Sequence, residues 1–209
     1  MAARVRVGAP AKNFEPRIAL MTIPTTQLLA ELRRDHANVS LLLEILEEQS
    51  QRLLALERPD YDVMDDIMHY MTSFADAVHH PKEDVLYRRL RKLRPELQGR
   101  LLLLEQEHAE IGRLGVDLRS DIEAIESEAM VRRETVFNDA RAYIGMLRNH
   151  MLWEEEELFV LLEELSGAID DDDDDTAMPQ GRDPLFGGEV ERDFERLFVS
   201  IRQSVMTTD

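Results

Sequence analysis

"LQGRLLLLEQEHAEIGRLGVDLRSDIEAIE", residues 97–126, spaces its inward-type residues in alternating steps of four and three. The track runs Leu97, Leu101, Leu104, His108, Ile111, Gly115, Leu118, Ile122 and Ile125. Such steps keep one face of a 3.6-residue helix in register over about eight turns. A half-buried strand would alternate with a period of two, and this stretch does not. It therefore predicts a long amphipathic helix, with a histidine where the track requires an apolar side chain.

Three more tracks of the same kind lie around it. The first begins near Pro24 and runs Leu29, Leu32, His36, Val39, Leu43, Leu46. The second follows "RPD" at 58–60 and runs Met64, Ile67, Met71, Phe74, Val78, then Leu86 and Leu90. The fourth runs Val136, Ala140, Tyr143, Leu147, His150, Glu154, Leu158, Leu161, Leu165. Four long amphipathic segments with short connections predict an all-α, up-down-up-down four-helix bundle over 23–167. Before it, residues 1–22 are expected to be irregular. After it come an acidic linker over 168–188, with six aspartates from Asp170 to Asp175, and an additional C-terminal amphipathic helix over 189–206. That helix carries Val190, Phe194, Leu197, Ile201 and Val205 on one face. Folding back onto the bundle is the simpler expectation; docking on a protein partner or a second copy is the alternative.

Composition narrows the chemistry. The 209 residues suit one domain with appendages, and a net charge of −18 opposes binding to nucleic acid. There is no cysteine, so disulfides, thiolate metal sites and cysteine nucleophiles are excluded. No apolar run reaches the length of a leader or of a membrane span, so no membrane partner is expected and a cytoplasmic location is expected by default.

His36, His108, His150 and Glu154 all occupy inward positions. His79 and Glu83 are four apart, as are His150 and Glu154, which stacks each pair on one helical face. With alternating helix directions, His36, His79, His108 and His150 come to about 18–22 Å above one end of the bundle, at 1.5 Å per residue. Burying such a layer without a cation would leave charges and lone pairs poorly compensated. Four imidazoles and two carboxylates able to bridge suit a dinuclear centre of iron or manganese, with zinc a further candidate. Leu86 and Leu90 continue the second track, so the helix is expected to resume or persist through Pro81, with a local bend near Ala77, whose carbonyl loses its partner.

The set "RDHANV", "HHPKEDVLY", "LEQEHAEI" and "NHMLWEEEELF" resembles the hemerythrin-like, HHE cation-binding family over about residues 27–165. The resemblance implies a non-haem centre of two iron ions with terminal ligands at His36, His79, His108 and His150 and bridging carboxylates at Glu83 and Glu154. Oxygen-carrying members usually have a second histidine one turn before the position of His108, where this chain has Leu104. His80 or water is the candidate replacement, and Glu155 competes with Glu154 as a ligand. The ferritin-like alternative needs two Glu-x-x-His pairs; Glu105 and His108 form one, and His150 lacks the other.

The implied function is a binding protein that meets oxygen or nitric oxide at the metal pair, or that handles iron. An enzyme with peroxidase-like or nitric-oxide-reducing activity is an alternative, as is a regulatory module that uses the C-terminal helix. Leu43, Leu104 and Leu147 are the expected pocket residues. His69, Tyr143, Trp153 and the methionines Met64, Met68 and Met71 are read as packing groups.

Overall fold

The computed structural model describes residues 23–127, 130–170 and 181–207, and among these all regular structure is helical. The segment 1–22 and the aspartates 171–175 lie outside the described residues. Four rods form the bundle. Rod one is α1 (Thr25–Leu54). Rod two joins α2 (Tyr61–Tyr70), a π-helical stretch (Met71–His79) and α3 (His80–Leu93). Rod three is α4 (Gln98–Glu126), entered through a tight turn at Pro95–Leu97. Rod four joins α5 (Arg133–Trp153), a second π-helical stretch (Glu154–Leu158) and α6 (Phe159–Glu164). A short α7 (Ser166–Asp170) follows.

Ion pairs show that neighbouring rods run antiparallel. Between rods one and four, Arg33 pairs with Glu155 at 3.1 Å and Arg148 with Glu47 at 2.7 Å. Between rods two and three, Arg119 pairs with Asp65 at 3.3 Å and Arg91 with Glu105 at 2.8 Å. In each case one residue number falls as the other rises. The open N-terminus of α1 is closed from the far end of the chain: Asp170 accepts from the Thr25 N–H at 2.9 Å and from its hydroxyl at 2.7 Å. A carboxylate there satisfies an unpaired donor and complements the helix dipole.

The apolar core is divided. One cluster contains Leu28, Leu32, Leu86, Leu90, Leu101, Leu104, Phe159 and Leu162. The other contains Val39, Leu43, Met64, Ile67, Phe74, Val78, Ile111, Leu118 and Leu147. Along every rod the histidines and glutamates fall between the two. Each fully buried leucine contributes about 1.5–3 kcal/mol, so two such clusters can support a polar layer between them.

Rod two is covered on its outer side by the C-terminal segment. Asp183 accepts from the buried Tyr70 hydroxyl at 3.1 Å, and Leu185 is buried. A turn at Arg192–Phe194 leads into α8 (Glu195–Thr207), which packs on α2 through Phe194, Leu197 and Ile201. Arg196 clamps Asp66 with two bonds of 2.6 Å. The Val205 side chain lies outside the described residues.

Rod four departs from the expected track. Leu158, Phe159 and Leu162 are buried, whereas Leu161 and Leu165 are only partly so. The π-helical stretch is the reason: its wider turn takes an extra residue and shifts the inward face by one position.

Candidate metal centre

His36, His79, Glu83, His108, His150 and Glu154 come from all four rods and meet in the polar layer, none more than 8% exposed. The two glutamates span it. Glu83 Oε1 lies 3.3 Å from His36 Nε2 and 3.1 Å from His79 Nε2, while its Oε2 lies 3.3 Å from His108 Nε2. Glu154 Oε1 lies 3.2 Å from His150 Nε2, and its Oε2 lies 3.5 Å from His36 Nε2. The donors fall into two groups that share Glu83: His36, His79 and Glu83, and Glu83, His108, His150 and Glu154. Within each group the ligand atoms lie within 4.8 Å of one another.

A belt of outer carboxylates orients the imidazoles. Asp35 on rod one lies 3.1 Å from Nδ1 of His79 on rod two. Asp84 on rod two lies 3.0 Å from Nδ1 of His108 on rod three. Glu107 on rod three lies 2.9 Å from Nδ1 of His150 on rod four. Glu155 on rod four lies 2.9 Å from Nδ1 of His36 on rod one, closing the circle. Each belt residue is the sequence neighbour of an inward donor and serves the next rod. A carboxylate accepting from Nδ1–H leaves Nε2 facing inward, the arrangement that fixes histidine ligands elsewhere. Glu155 therefore points outward to His36 and Arg33, and Glu154 is the inward member of the pair.

The electrostatics follow from the same contacts. Burial alone would lower the histidine pKa values, but the facing carboxylates reverse this. Glu155 and Glu83 push His36 up to about 10, and Glu154 and Glu107 push His150 up to about 10. Glu83 and Asp35 raise His79 to about 9, and Asp84 and Glu83 raise His108 to about 9. Burial works against ionisation of Glu83, yet His79, His108 and His36 hold it well below the ordinary carboxylate range. Even so, His36 Nε2, both Glu83 oxygens and Glu154 Oε2 are buried without a hydrogen-bond partner. Unpaired buried groups of this kind are costly, and a bound cation satisfies them together. The donor set fits a metal ion.

Two features differ from the sequence reading. Helicity persists through Pro81, as the Leu86 and Leu90 continuation implies, but a π-helical stretch, with the His80 N–H donating to the Ala75 carbonyl, stands where a bend near Ala77 was expected. His80, the candidate replacement ligand, is 5% exposed. A π-helical turn holds more residues than an α-turn, so successive side chains are rotated less and two adjacent histidines can both face inward. Its Nδ1 lies 3.3 Å from Asp76, and its ring stacks on His108 at 4.3 Å. Burial, with His108 adding to it, lowers its pKa. His80 belongs to neither donor group.

Tyr87 was not anticipated. It is fully buried, its hydroxyl donates to Glu154 Oε1, and its ring stacks on His108 at 5.7 Å. Its place four residues after Glu83, on the same face, is the signal that could have found it. Trp153 is a packing group under Arg100, 4.2 Å away, and His69 stacks on Phe194 at 5.2 Å, where the C-terminal segment docks.

Beside the donors lies a small cavity of about 10 Å³, with Val39, Ala75, Leu147 and Met151 as its apolar wall. His36, His79, His80 and His150 form the remainder. Leu147 lines it as expected. Leu104 and Leu43 do not; they belong to the apolar clusters on the two sides of the layer.

The model of the hemerythrin HHE cation binding domain matches residues 27–162, well over half of the chain and all of the inward donors. No significant match is found among curated proteins or solved structures.

Proposed function

The chain belongs to the hemerythrin HHE cation-binding domain family, and from that premise we propose that its polar layer holds two iron ions that meet a small ligand, oxygen or nitric oxide. One observation carries the reading: Glu83 directs one oxygen toward His36 and His79 and the other toward His108, with neither oxygen hydrogen-bonded. A carboxylate so placed would be shared by two ions. His36 and His79 would hold one ion, His108 and His150 the other, with Glu83 and Glu154 between them. Imidazole and carboxylate without thiolate suit iron or manganese before zinc.

Bound there, iron would supply Lewis acidity and a reversible change of oxidation state. The chain's own groups set the conditions. The carboxylate belt keeps each Nε2 directed inward, and the Tyr87 hydroxyl holds Glu154 in place. Val39, Ala75, Leu147 and Met151 keep bulk water from the cavity, which slows loss of a bound ligand. The test is a visible spectrum of the ferrous-loaded full chain. A band that forms with oxygen and disappears under argon supports binding; irreversible bleaching, or no spectral response to oxygen or nitric oxide, counts against it.

A further inference from the structure

Lys82 is 7% exposed, and its one ion pair among the described residues is with Glu31 at 3.9 Å, beyond hydrogen-bond reach. A buried ammonium has three N–H groups to satisfy, and leaving them without acceptors is costly. Lys82 lines a cleft of about 440 Å³ between rods one and two and the C-terminal segment. That volume is within the range of small-molecule sites, and none of the six inward donors lines the cleft. Arg34 and Asn38 face it from rod one, Phe74 from rod two, and Asp183 and Phe186 from the C-terminal segment.

The C-terminal wall is held in place. Asp183 Oδ1 accepts from the N–H groups of Leu185 and Phe186 at 2.8 Å each, and the Asp183 carbonyl accepts from the Gly187 N–H at 3.0 Å. These bonds fix the turn that carries Phe186. Each acid of the cleft already has a partner: Asp183 accepts from the Tyr70 hydroxyl, Asp35 holds His79 at 3.1 Å, and Glu31 accepts from the Gln27 amide at 3.5 Å. The Lys82 ammonium and the Arg34 guanidinium form no hydrogen bond among the described residues. The groups left over are therefore cationic donors, with the rings of Phe74 and Phe186 as apolar wall.

We propose that this cleft binds a small organic anion, a carboxylate or a phosphate monoester on an apolar body. Lys82 and Arg34 hold the charged group through charge-assisted hydrogen bonds, and Phe74 and Phe186 hold the body. The wall from Asp183 to Gly187 lies beyond the residues 27–162 that match the family, so this site needs the C-terminal segment as much as the bundle.

The test is calorimetric titration of the full chain, with and without iron, using phenyl phosphate and benzoate as probes. Inorganic phosphate, without the ring, and benzyl alcohol, without the charge, are the controls. At least one of the two organic anions should bind with a Kd of about 1 mM or tighter, and both controls about tenfold more weakly. Which anion binds tells phosphate from carboxylate. Lys82→Met and Arg34→Met should each weaken that anion about tenfold, the effect of one lost charge-assisted hydrogen bond, while Lys82→Arg should stay within about threefold. Urea unfolding checks the Lys82 variants; Arg34 is exposed, so Arg34→Met keeps the test decisive if Lys82→Met does not fold. Binding of neither anion would overturn the proposal. So would equal binding by Arg34→Met and the unaltered chain, which would put the anion elsewhere on the surface. Binding that requires iron would place the anion at the donor layer and overturn it as well. A chain that binds the anion but takes up no iron defeats the metal reading alone.

Discussion

Rods two and four each contain a π-helical stretch, whereas rods one and three run as unbroken α-helices. The difference follows the donors. Rods one and three each present one histidine to the layer, His36 and His108. Rods two and four each present a histidine and a glutamate four residues apart. In a regular α-helix such a pair is separated by about 6 Å along the axis and turned about 40°. That spacing lets both donors of each pair reach one layer, at 3.1 Å and 3.2 Å from each other. Rod two has Pro81 beside its wide stretch, but rod four has no proline. What the two rods share is position: one wide stretch ends at His79 and the other begins at Glu154, so each abuts its donor pair, and π-helical turns recur at functional sites.

The largest effect should come from the glutamate that both donor groups share. Glu83→Ala leaves three inward imidazoles without their central partner and should cost the metal-free chain about 3 kcal/mol, since it breaks a buried charge pair. Iron content should fall to one ion or none. Glu155→Gln, at a position one-third exposed, should cost under about 1 kcal/mol of stability and lower iron affinity about 10–100-fold without removing a ligand. Urea unfolding and metal analysis of the two variants side by side measure the contrast between the inward and outward acids.

pH should separate the two metal states next. In the metal-free chain the four histidines rise from an ordinary 6.5 to about 9 or 10. A raised histidine pKa gives stability that is present in full below 6.5 and lost as pH climbs through the folded value. The metal-free melting temperature should therefore fall between pH 6.5 and 10. Glu83, held low, adds stability above 4.5 that is lost as pH falls below it. Because metal ligation needs neutral imidazole, iron affinity should rise with pH over the range in which the metal-free chain weakens. Melting curves with and without iron check both directions.

Smaller effects probe the supports. Tyr87→Phe removes the donor to Glu154 and should cost about 1–2 kcal/mol while keeping iron, measured by the same unfolding titration. Pro81→Ala should change stability by less than about 1 kcal/mol and leave iron content intact, because rod four forms its wide stretch without a proline. Loss of iron in that variant would return the proline to the centre of the explanation.

The four rods and the meeting of the six inward donors in one layer were legible because helical periodicity repeats over many turns, and a polar residue on an apolar track stands out. The π-helical stretches were not: on rod four both Leu161 and Leu162 are apolar, so a shift of the inward face by one position leaves the pattern readable in either register. From that one omission came the misplacement of Leu161 and Leu165 as buried and the uncertainty over His80. The belt was readable in part: Asp35, Asp84, Glu107 and Glu155 each sit next to an inward donor. Which rod each one serves depends on how neighbouring rods pack, and no single segment carries that information.

Iron counting on the full chain tests the central claim most directly. After anaerobic loading with ferrous iron and removal of the excess, native mass spectrometry should find about two iron ions per folded chain, falling to one or none with Glu83→Ala. A folded, unaltered chain that holds no iron, or that holds its iron equally well without Glu83, would contradict the account.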